Sequence, residues 1–541
     1  MIPSSFCTIC TSQCKQELVG FLLSLSIHHK NATVYIMCDS KTKSEIDKLS
    51  PKILLDIKWT ISLDKYSNMN RAQMETINVW GTFLKSKADI MIKALTFEKD
   101  VLFIDSDTII LDKLEVDNSK DVGLSPQFIK QVNVDETGYY NAGLLWTNKK
   151  SVCEYWKEIT IDNHECPEQI HMNKFCDKFQ YFEFGENYNL QTWRFIVGKE
   201  DGQQIASYLN VDKSLGKLMY KDKPLKFIHT HFNSQRFQPI NKFFIQKLSE
   251  ANYYRELACI FRLIHNKWII EIPKQPRQNI NFHKNDSFRE LAVLWRIKNK
   301  DVDINFVNSN HCWLNPTVLL YDRPTLEWVD NDVIKATTIY FGNGSMKDEG
   351  SKLNTYTNKK VQPWIFWPRR PMVLEKVLKD HGYPSFKERT CKSIFIGNFE
   401  NSVQEKYRNI TGWEKVLDEY HCTAGFKHKF NQTEYLMKLR NSRFGLCLRG
   451  YGSKCHREVE LMAFGTVPIV TKYVSIKDYL DPPQEGLHYI TASNPQELKK
   501  KVDNITESEW HTMSNACRDW YMKNIHSDNS WKTFIHNVLY K

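Results

Sequence analysis

Residues 101–107 read Val-Leu-Phe-Ile-Asp-Ser-Asp, an apolar run that stops at two carboxylates one residue apart. Four consecutive apolar residues are the pattern of a strand buried on both faces of a parallel sheet. Side chains at i and i+2 leave a strand on the same face, so Asp105 and Asp107 can converge on one hard cation. Without a counter-ion two apposed buried carboxylates repel and titrate upward, which is costly. In open α/β sheets the carboxyl end of a strand is also where ligands bind. The run therefore predicts an α/β fold that handles a nucleotide or phosphate through a divalent metal.

The flanking sequence extends this pattern. Through residues 1–250 short apolar runs alternate with amphipathic stretches: strands at 6–10 and 33–38, helices at 17–28 and 87–98, further strands at 139–146 and 226–231. Such alternation predicts a doubly wound, mostly parallel sheet with helices on both faces. Pro273 and Pro276 break the periodicity and place a linker over 253–279. Residues 280–365 read as a small α/β segment, with a Gly-, Ser-, Asn- and Lys-rich loop at 342–363. From 366 the pattern resumes, with strands at 393–396, 444–448 and 467–470 and helices at 434–440 and 457–464. A chain of 541 residues exceeds one core, since domains usually hold about 100–200 residues. The expected division is 1–252, 280–365 and 366–541.

Composition narrows the function classes. The hydrophobic fraction of 41% and charged fraction of 25% are those of an ordinary globular protein. The net charge of +11 is spread along the chain with no polybasic tract, which suits anionic small substrates and argues against nucleic acid. The apolar stretch at 18–27 is too short to span a bilayer, and no charged n-region precedes a long apolar segment. A soluble, cytoplasmic protein with free thiols is expected. Its 14 cysteines are scattered, and Cys7 and Cys10 read as packing in the first strand rather than binding metal. Nothing in the pattern sets an oligomeric state.

A second constellation lies at 443–470. A strand runs into a loop holding Arg449, Gly450, Gly452 and Lys454, then a helix with Arg457, Glu458 and Glu460, then Gly465 and a strand. Glycines let backbone amides approach an anion, and the helix N-terminus adds its dipole. This strand–loop–helix is suited to phosphate.

Four segments of the first half carry a family resemblance: Leu-Lys-Ser-Lys-Ala-Asp at 84–89, Asp105-Ser-Asp107, Tyr-Asn-Ala-Gly-Leu at 140–144, and His-Thr-His-Phe at 229–232. In this order they resemble the glycogenin-like branch of the GT-A glycosyltransferases, over residues 1–240. The resemblance implies a Mn²⁺ or Mg²⁺ ion held by Asp105, Asp107, a histidine and the diphosphate of a nucleotide-sugar donor, here expected to be a UDP-sugar. Oxygen ligands with one imidazole favour Mn²⁺. Alternation puts His229 and His231 on one face, and His231 is preferred because an aromatic follows it. The resemblance also puts Lys87, Asn141, Ala142 and Gly143 against the donor, together with Thr11 and Ser106. Glu168 and Gln169 fall where the family carries an acid followed by Gln near the anomeric carbon, with Glu in place of the more usual Asp. In a retaining enzyme this pair would stabilise an oxocarbenium-like state; in an inverting one the carboxylate would be the base. His164 and His171 have no such context and are expected at the surface.

The later block resembles the C-terminal half of GT-B glycosyltransferases of the exostosin-like group. That implies Arg457 on the diphosphate and Glu460 on the ribose hydroxyls, with Glu458 as second choice and Arg449 and Lys454 beside the donor. Residues 255–370 are short for a full acceptor-binding Rossmann domain, which implies a reduced or degenerate second transferase. The whole is expected to be a bifunctional glycosyltransferase, a metal-dependent GT-A domain fused to a metal-independent GT-B-like α/β domain, acting on a glycan or protein acceptor. Such a pairing resembles the glycan-building enzymes of large DNA viruses and some bacteria; for a viral chain the compartment would be the host cytoplasm. Two alternatives stand beside it. A metal-dependent nucleotidyltransferase also places paired carboxylates on a nucleotide, but gives no role to Asn141-Ala-Gly or the late histidines. A non-catalytic carbohydrate-binding scaffold would use the 13% aromatic content for sugar stacking.

Overall fold

The computed structural model describes the chain apart from residues 50–52, 162–165, 233, 252, 275–285, 309–317, 322–338, 342–360, 364–367, 410–411, 426, 451–452, 478, 480 and 541. His164, Gly452, positions 275–279 of the expected linker and most of the expected loop at 342–363 lie outside the described residues. The chain forms two compact units, Met1–Trp268 with Tyr540, and Ile269–Leu539. No helix among the described residues is long and apolar enough to cross a membrane.

The first unit opens with β1 (Ser5–Cys10), β2 (Thr33–Cys38), β3 (Asp56–Ile61) and β4 (Val101–Ile104), followed by β5 (Thr108–Ile110), β6 (Val122–Pro126), β7 (Tyr140–Thr147), β8 (Tyr181–Glu183) and β9 (Asn189–Gln191). A meander of β10 (Leu209–Asp212), β11 (Lys217–Tyr220) and β12 (Lys223–Pro224) leads to β13 (Phe227–His229). The large sheet has the order β3-β2-β1-β4-β7-β6-β8. β1 to β4 run parallel, and β7 is antiparallel to both of its neighbours. Every residue of β1 and β4 is buried, as the unbroken apolar run of β4 requires, and β1 buries Ser5 and Thr8 with its apolar residues. On one face Cys7, Ile9, Val101 and Phe103 pack with Ile90 and Met91 of the helix Ser86–Ala94 and with Trp156 of the helix Lys150–Ile159.

A smaller sheet, β5-β13-β9, has its own core of Ile109, Leu190, Ile228, Phe244, Leu248 and Leu257. Asp105-Ser106-Asp107 is therefore the joint at which the chain leaves β4 of one sheet and enters β5 of the next. Part of the stretch expected as a linker is instead ordered. The helix Tyr254–His265 buries Leu257, Ile260 and Phe261, an apolar face at helical spacing that the prolines downstream do not interrupt.

In the second unit β14 (Trp268–Lys274), β15 (Val302–Asn308), β16 (Val318–Tyr321), β17 (Ile339–Phe341) and β18 (Val361–Pro363) make one sheet in the order β15-β14-β16-β17-β18. The end of the expected loop thus pairs as a strand; β18 is at the sheet edge, where a proline is tolerated. The other sheet joins β19 (Cys391–Phe399), β20 (Glu419–Ala424), β21 (Ser442–Cys447), β22 (Val467–Val470) and β23 (Ile490–Thr491) in the order β20-β19-β21-β22-β23, all parallel. The helix His456–Ala463 connects β21 to β22.

Candidate metal and donor site

The register of the small sheet builds the site. His229 lies opposite Thr108 in the β5–β13 ladder, and the Thr230 N–H donates to the Asp107 carbonyl at 2.8 Å. That pairing brings both histidines to Asp107: His229 Nε2 is 3.0 Å from Oδ1, and His231 Nδ1 is 3.0 Å from Oδ2. One ligand atom from each of the three residues lies within 4.8 Å of the others. Burial opposes the Asp107 charge, yet the two imidazoles outweigh it and hold the carboxyl well below its usual range. Burial likewise works against a charged His229, and Asp107 reverses that and raises it.

Asp105 enters from the other side. Its backbone N–H donates to the Gly143 carbonyl at 3.0 Å. A Cβ placed on Gly143 would sit 2.7 Å from Asp105 Oδ2, 2.7 Å from His229 Cε1 and 2.8 Å from Asn141 Oδ1. Only glycine lets these three groups converge. The Asp107 carboxylate and the two imidazoles form a donor set that fits a divalent cation, one that takes nitrogen as well as oxygen, and the Asp105 carboxylate lies beside it.

Lys87 is buried and makes three hydrogen bonds, to Asp105 Oδ2 at 3.3 Å, Glu168 Oε1 at 3.3 Å and the Ala142 carbonyl at 3.4 Å. Burial disfavours its charge, but Asp105 and Glu168 more than compensate and raise its pKa. An ammonium has three protons to donate, and all three have acceptors within the protein. The structure thus places Lys87 as a tie between two carboxylates.

The Glu168 side chain is 11% exposed, and its carbonyl accepts from Trp156 Nε1 at 2.7 Å. Gln169 is engaged on main chain: Oε1 accepts from the Ala142 N–H at 3.3 Å, and Nε2 donates to the Thr137 carbonyl at 2.9 Å. It braces β7. Thr11 is buried at the end of β1, its carbonyl accepting from the Cys14 N–H, and Ser106 is buried against the Cys10 thiol. His171 is half-buried rather than on the surface.

One residue of the site had no signal in the sequence. Asn189, buried in the three-residue strand β9, donates from Nδ2 to Asn141 Oδ1 at 2.9 Å, and its Oδ1 lies 3.2 Å from His229 Nδ1. A lone Asn in a short strand matches no motif, and only the parallel pairing of β9 with β13 puts it beside the histidine.

In the second unit Arg457 lies over the Phe395 ring at 4.4 Å and donates from Nη2 to the Ile396 carbonyl. Among the described residues its Nε and Nη1 have no hydrogen-bond partner. Glu458 is fully buried, and burial pushes its carboxyl up to about 8 despite backbone N–H groups at the helix start and Arg457 and Arg408 nearby. Glu460 has protein partners on both oxygens, the Arg369 N–H at 2.9 Å and the Tyr435 hydroxyl at 2.7 Å. Arg449 lies over Tyr407 and Lys454 over Tyr479.

No protein-family profile matches the chain, and no curated protein does. Among solved structures it is similar to the galactosyltransferase LgtC in complex with donor and acceptor sugar analogues, at 10% identity and a TM-score of 0.28, over 46% of this chain and 96% of that one. It is similar to the glycosyltransferase GlyE of Streptococcus pneumoniae TIGR4 at 10% identity and a TM-score of 0.30, over 93% and 98% of the two chains. It is also similar to the bifunctional glycosyltransferase WbbM at 13% identity and a TM-score of 0.30, over 48% of this chain and 52% of WbbM. Likeness of this size says nothing by itself about activity, which has to come from the side chains of the site.

Proposed function

We propose that the chain is a glycosyltransferase whose first unit is a metal-dependent GT-A domain, taking a UDP-sugar and passing the sugar to a glycan or protein acceptor. The observation that carries this reading is the meeting of Asp105, Asp107, His229 and His231 at the carboxyl end of β4, where α/β sheets bind ligands. These four residues would hold Mn²⁺; the second imidazole brings Zn²⁺ within range as well. When bound, the ion supplies Lewis-acid stabilisation of the nucleoside diphosphate leaving group.

The protein groups have their own tasks. Glu168, held by Lys87, presents a carboxylate that can stabilise positive charge at the sugar or take a proton from the acceptor. Asn141 and Gly143 supply a floor without bulky side chains, and Ala142 and Gln169 stiffen it. Thr11 and Ser106, at the same sheet edge, complete the donor surface.

On this reading the GT-A part takes in the whole first unit, through the helix Tyr254–His265 to Trp268, and 280–365 and 366–541 form a GT-B-like part that needs no metal. The two unpartnered guanidinium nitrogens of Arg457 support an anion there, with Arg449 and Lys454 adding charge. Both oxygens of Glu460 are engaged within the protein and Glu458 is fully buried, so Arg457 is the residue of this helix proposed to meet the donor.

Incubating the full chain with UDP-sugars tests the reading. Slow release of UDP that needs Mn²⁺ and is lost in Asp107→Asn is expected. A nucleotidyltransferase would release pyrophosphate or leave the nucleoside monophosphate on its product, and a scaffold would turn over no donor.

A further inference from the structure

Four groups behind the metal-facing surface form a chain of hydrogen bonds with one possible direction. The Gly143 N–H donates to Asn141 Oδ1 at 3.0 Å, so that oxygen is fixed as an acceptor by main chain. The same Oδ1 accepts from Asn189 at 2.9 Å, which makes the atom facing it the amide nitrogen, Nδ2. Nδ2 also donates to Ser125 Oγ at 3.2 Å. The Asn189 oxygen is thereby turned to His229 Nδ1 at 3.2 Å, and an amide oxygen only accepts. Nδ1 must then carry a proton. The other ring nitrogen, Nε2, faces Asp107.

We propose that Asn189 is a positioning residue that holds His229 as the Nδ1–H form, so that Nε2 is the atom offered to a divalent cation. This rests on the proposed metal role of His229. Imidazole ligands generally donate their second N–H to an oxygen that fixes tautomer and ring plane. The two histidines of the site differ in this respect. His231 faces Asp107 through Nδ1, and its side chain is more than one-third exposed, so its outer N–H is open to water. Among the described residues, His229 is the one of the two with a buried amide oxygen at its second nitrogen.

The test compares the full-length wild type with Asn189→Leu, which removes the acceptor, and Asn189→Asp, which keeps an oxygen there. Mn²⁺ affinity is measured by titration calorimetry. Asn189→Leu is expected to weaken it by about 10–100-fold, the usual effect of losing such a partner, and Asn189→Asp to weaken it less, because the oxygen toward Nδ1 stays although a second oxygen now faces Asn141 Oδ1. A second readout is proton NMR of the Co²⁺-loaded wild type, where one slowly exchanging, hyperfine-shifted imidazole N–H is expected and should vanish in His229→Gln. Wild type that binds Mn²⁺ while Asn189→Leu binds equally well overturns the role of Asn189 alone. If Asn189→Leu does not fold, the wild-type spectrum decides: the slow N–H supports the role and its absence overturns it. Wild type that binds neither Mn²⁺ nor Co²⁺ overturns the metal role of His229 and this inference with it.

Discussion

Lys87 Nζ lies 3.0 Å from Asp105 Oδ1 and 3.3 Å from Glu168 Oε1, so one buried ammonium joins the two acids that flank the site. Removing the charge from such a group leaves its buried partners uncompensated, at a cost of about 3–5 kcal/mol. Lys87→Met is therefore expected to destabilise the metal-free protein by about that amount. Saturating Mn²⁺ should restore part of it, because the ion takes over neutralisation of Asp105. Chemical denaturation with and without Mn²⁺ reads both effects. Equal losses in the two conditions would mean that Asp105 does not share the cation.

Gly143→Ala addresses geometry without altering charge. The added methyl would fall 2.7 Å from both Asp105 Oδ2 and His229 Cε1, inside any tolerable contact. Overpacking of this kind costs about 1–3 kcal/mol, and displaced ligands should lower Mn²⁺ affinity by about tenfold or more. Calorimetric Mn²⁺ titration checks the second figure, and an unchanged affinity would separate Gly143 from the metal patch.

His29 gives the first unit an acid limit. Its Nε2 accepts from the Leu114 N–H at 3.0 Å, its ring packs on Phe6, and burial lowers its pKa from 6.5 to about 4, with His28, Lys113 and Lys226 adding to the effect against Asp112. The unfolded chain takes up this proton from about pH 6.5 downward while the folded one refuses it until about pH 4. Stability is accordingly lost as pH falls through that window, by on the order of 2 kcal/mol. His29→Gln, which keeps an acceptor, should flatten the acid side of a stability–pH curve followed by chemical denaturation.

Glu458 acts in the opposite sense. With its folded pKa raised by burial to about 8 from the ordinary 4.5, it stays protonated after the unfolded chain has lost its proton. Stability tied to this group is intact below about pH 4.5 and falls as pH rises toward 8, by on the order of 3 kcal/mol. Glu458→Gln removes the titration and should stabilise the second unit at pH 8 more than at pH 5. Thermal melts at the two values test this; a larger gain at pH 5 would contradict it.

The sheets were legible because their strands are buried on both faces. Residues 33–38 and 467–470 form strands at the predicted bounds, and β4 ends where its apolar run meets Asp105. A buried parallel strand writes itself as an uninterrupted apolar word. The helix Tyr254–His265 and the strand β14 were hidden by Pro273, which lies within β14, and Pro276 just after it, and these drew the linker too far toward the N-terminus. In the site, Asp105 and Asp107 stood out by their spacing after an apolar run, and the two histidines by the family resemblance. What spacing could not supply was the pairing of β13 with β5 and β9, which decides that both histidines reach the same carboxylate and that Asn189 stands behind one of them. Nor could it supply how Lys87 distributes its three protons, a matter of burial rather than of sequence distance. Glu460 looked as available as Glu458 on one helix, but Tyr435 and the Arg369 backbone claim it from elements remote in sequence.

The most direct measurement is calorimetric titration of the full chain with Mn²⁺, in the presence and absence of UDP, for wild type and for His229→Gln with His231→Gln. The expected result is a single Mn²⁺ site in wild type that tightens with UDP and is abolished in the double variant. Mn²⁺ binding of equal strength in wild type and double variant, or none in wild type with UDP present, would contradict a metal-dependent transfer at the end of β4.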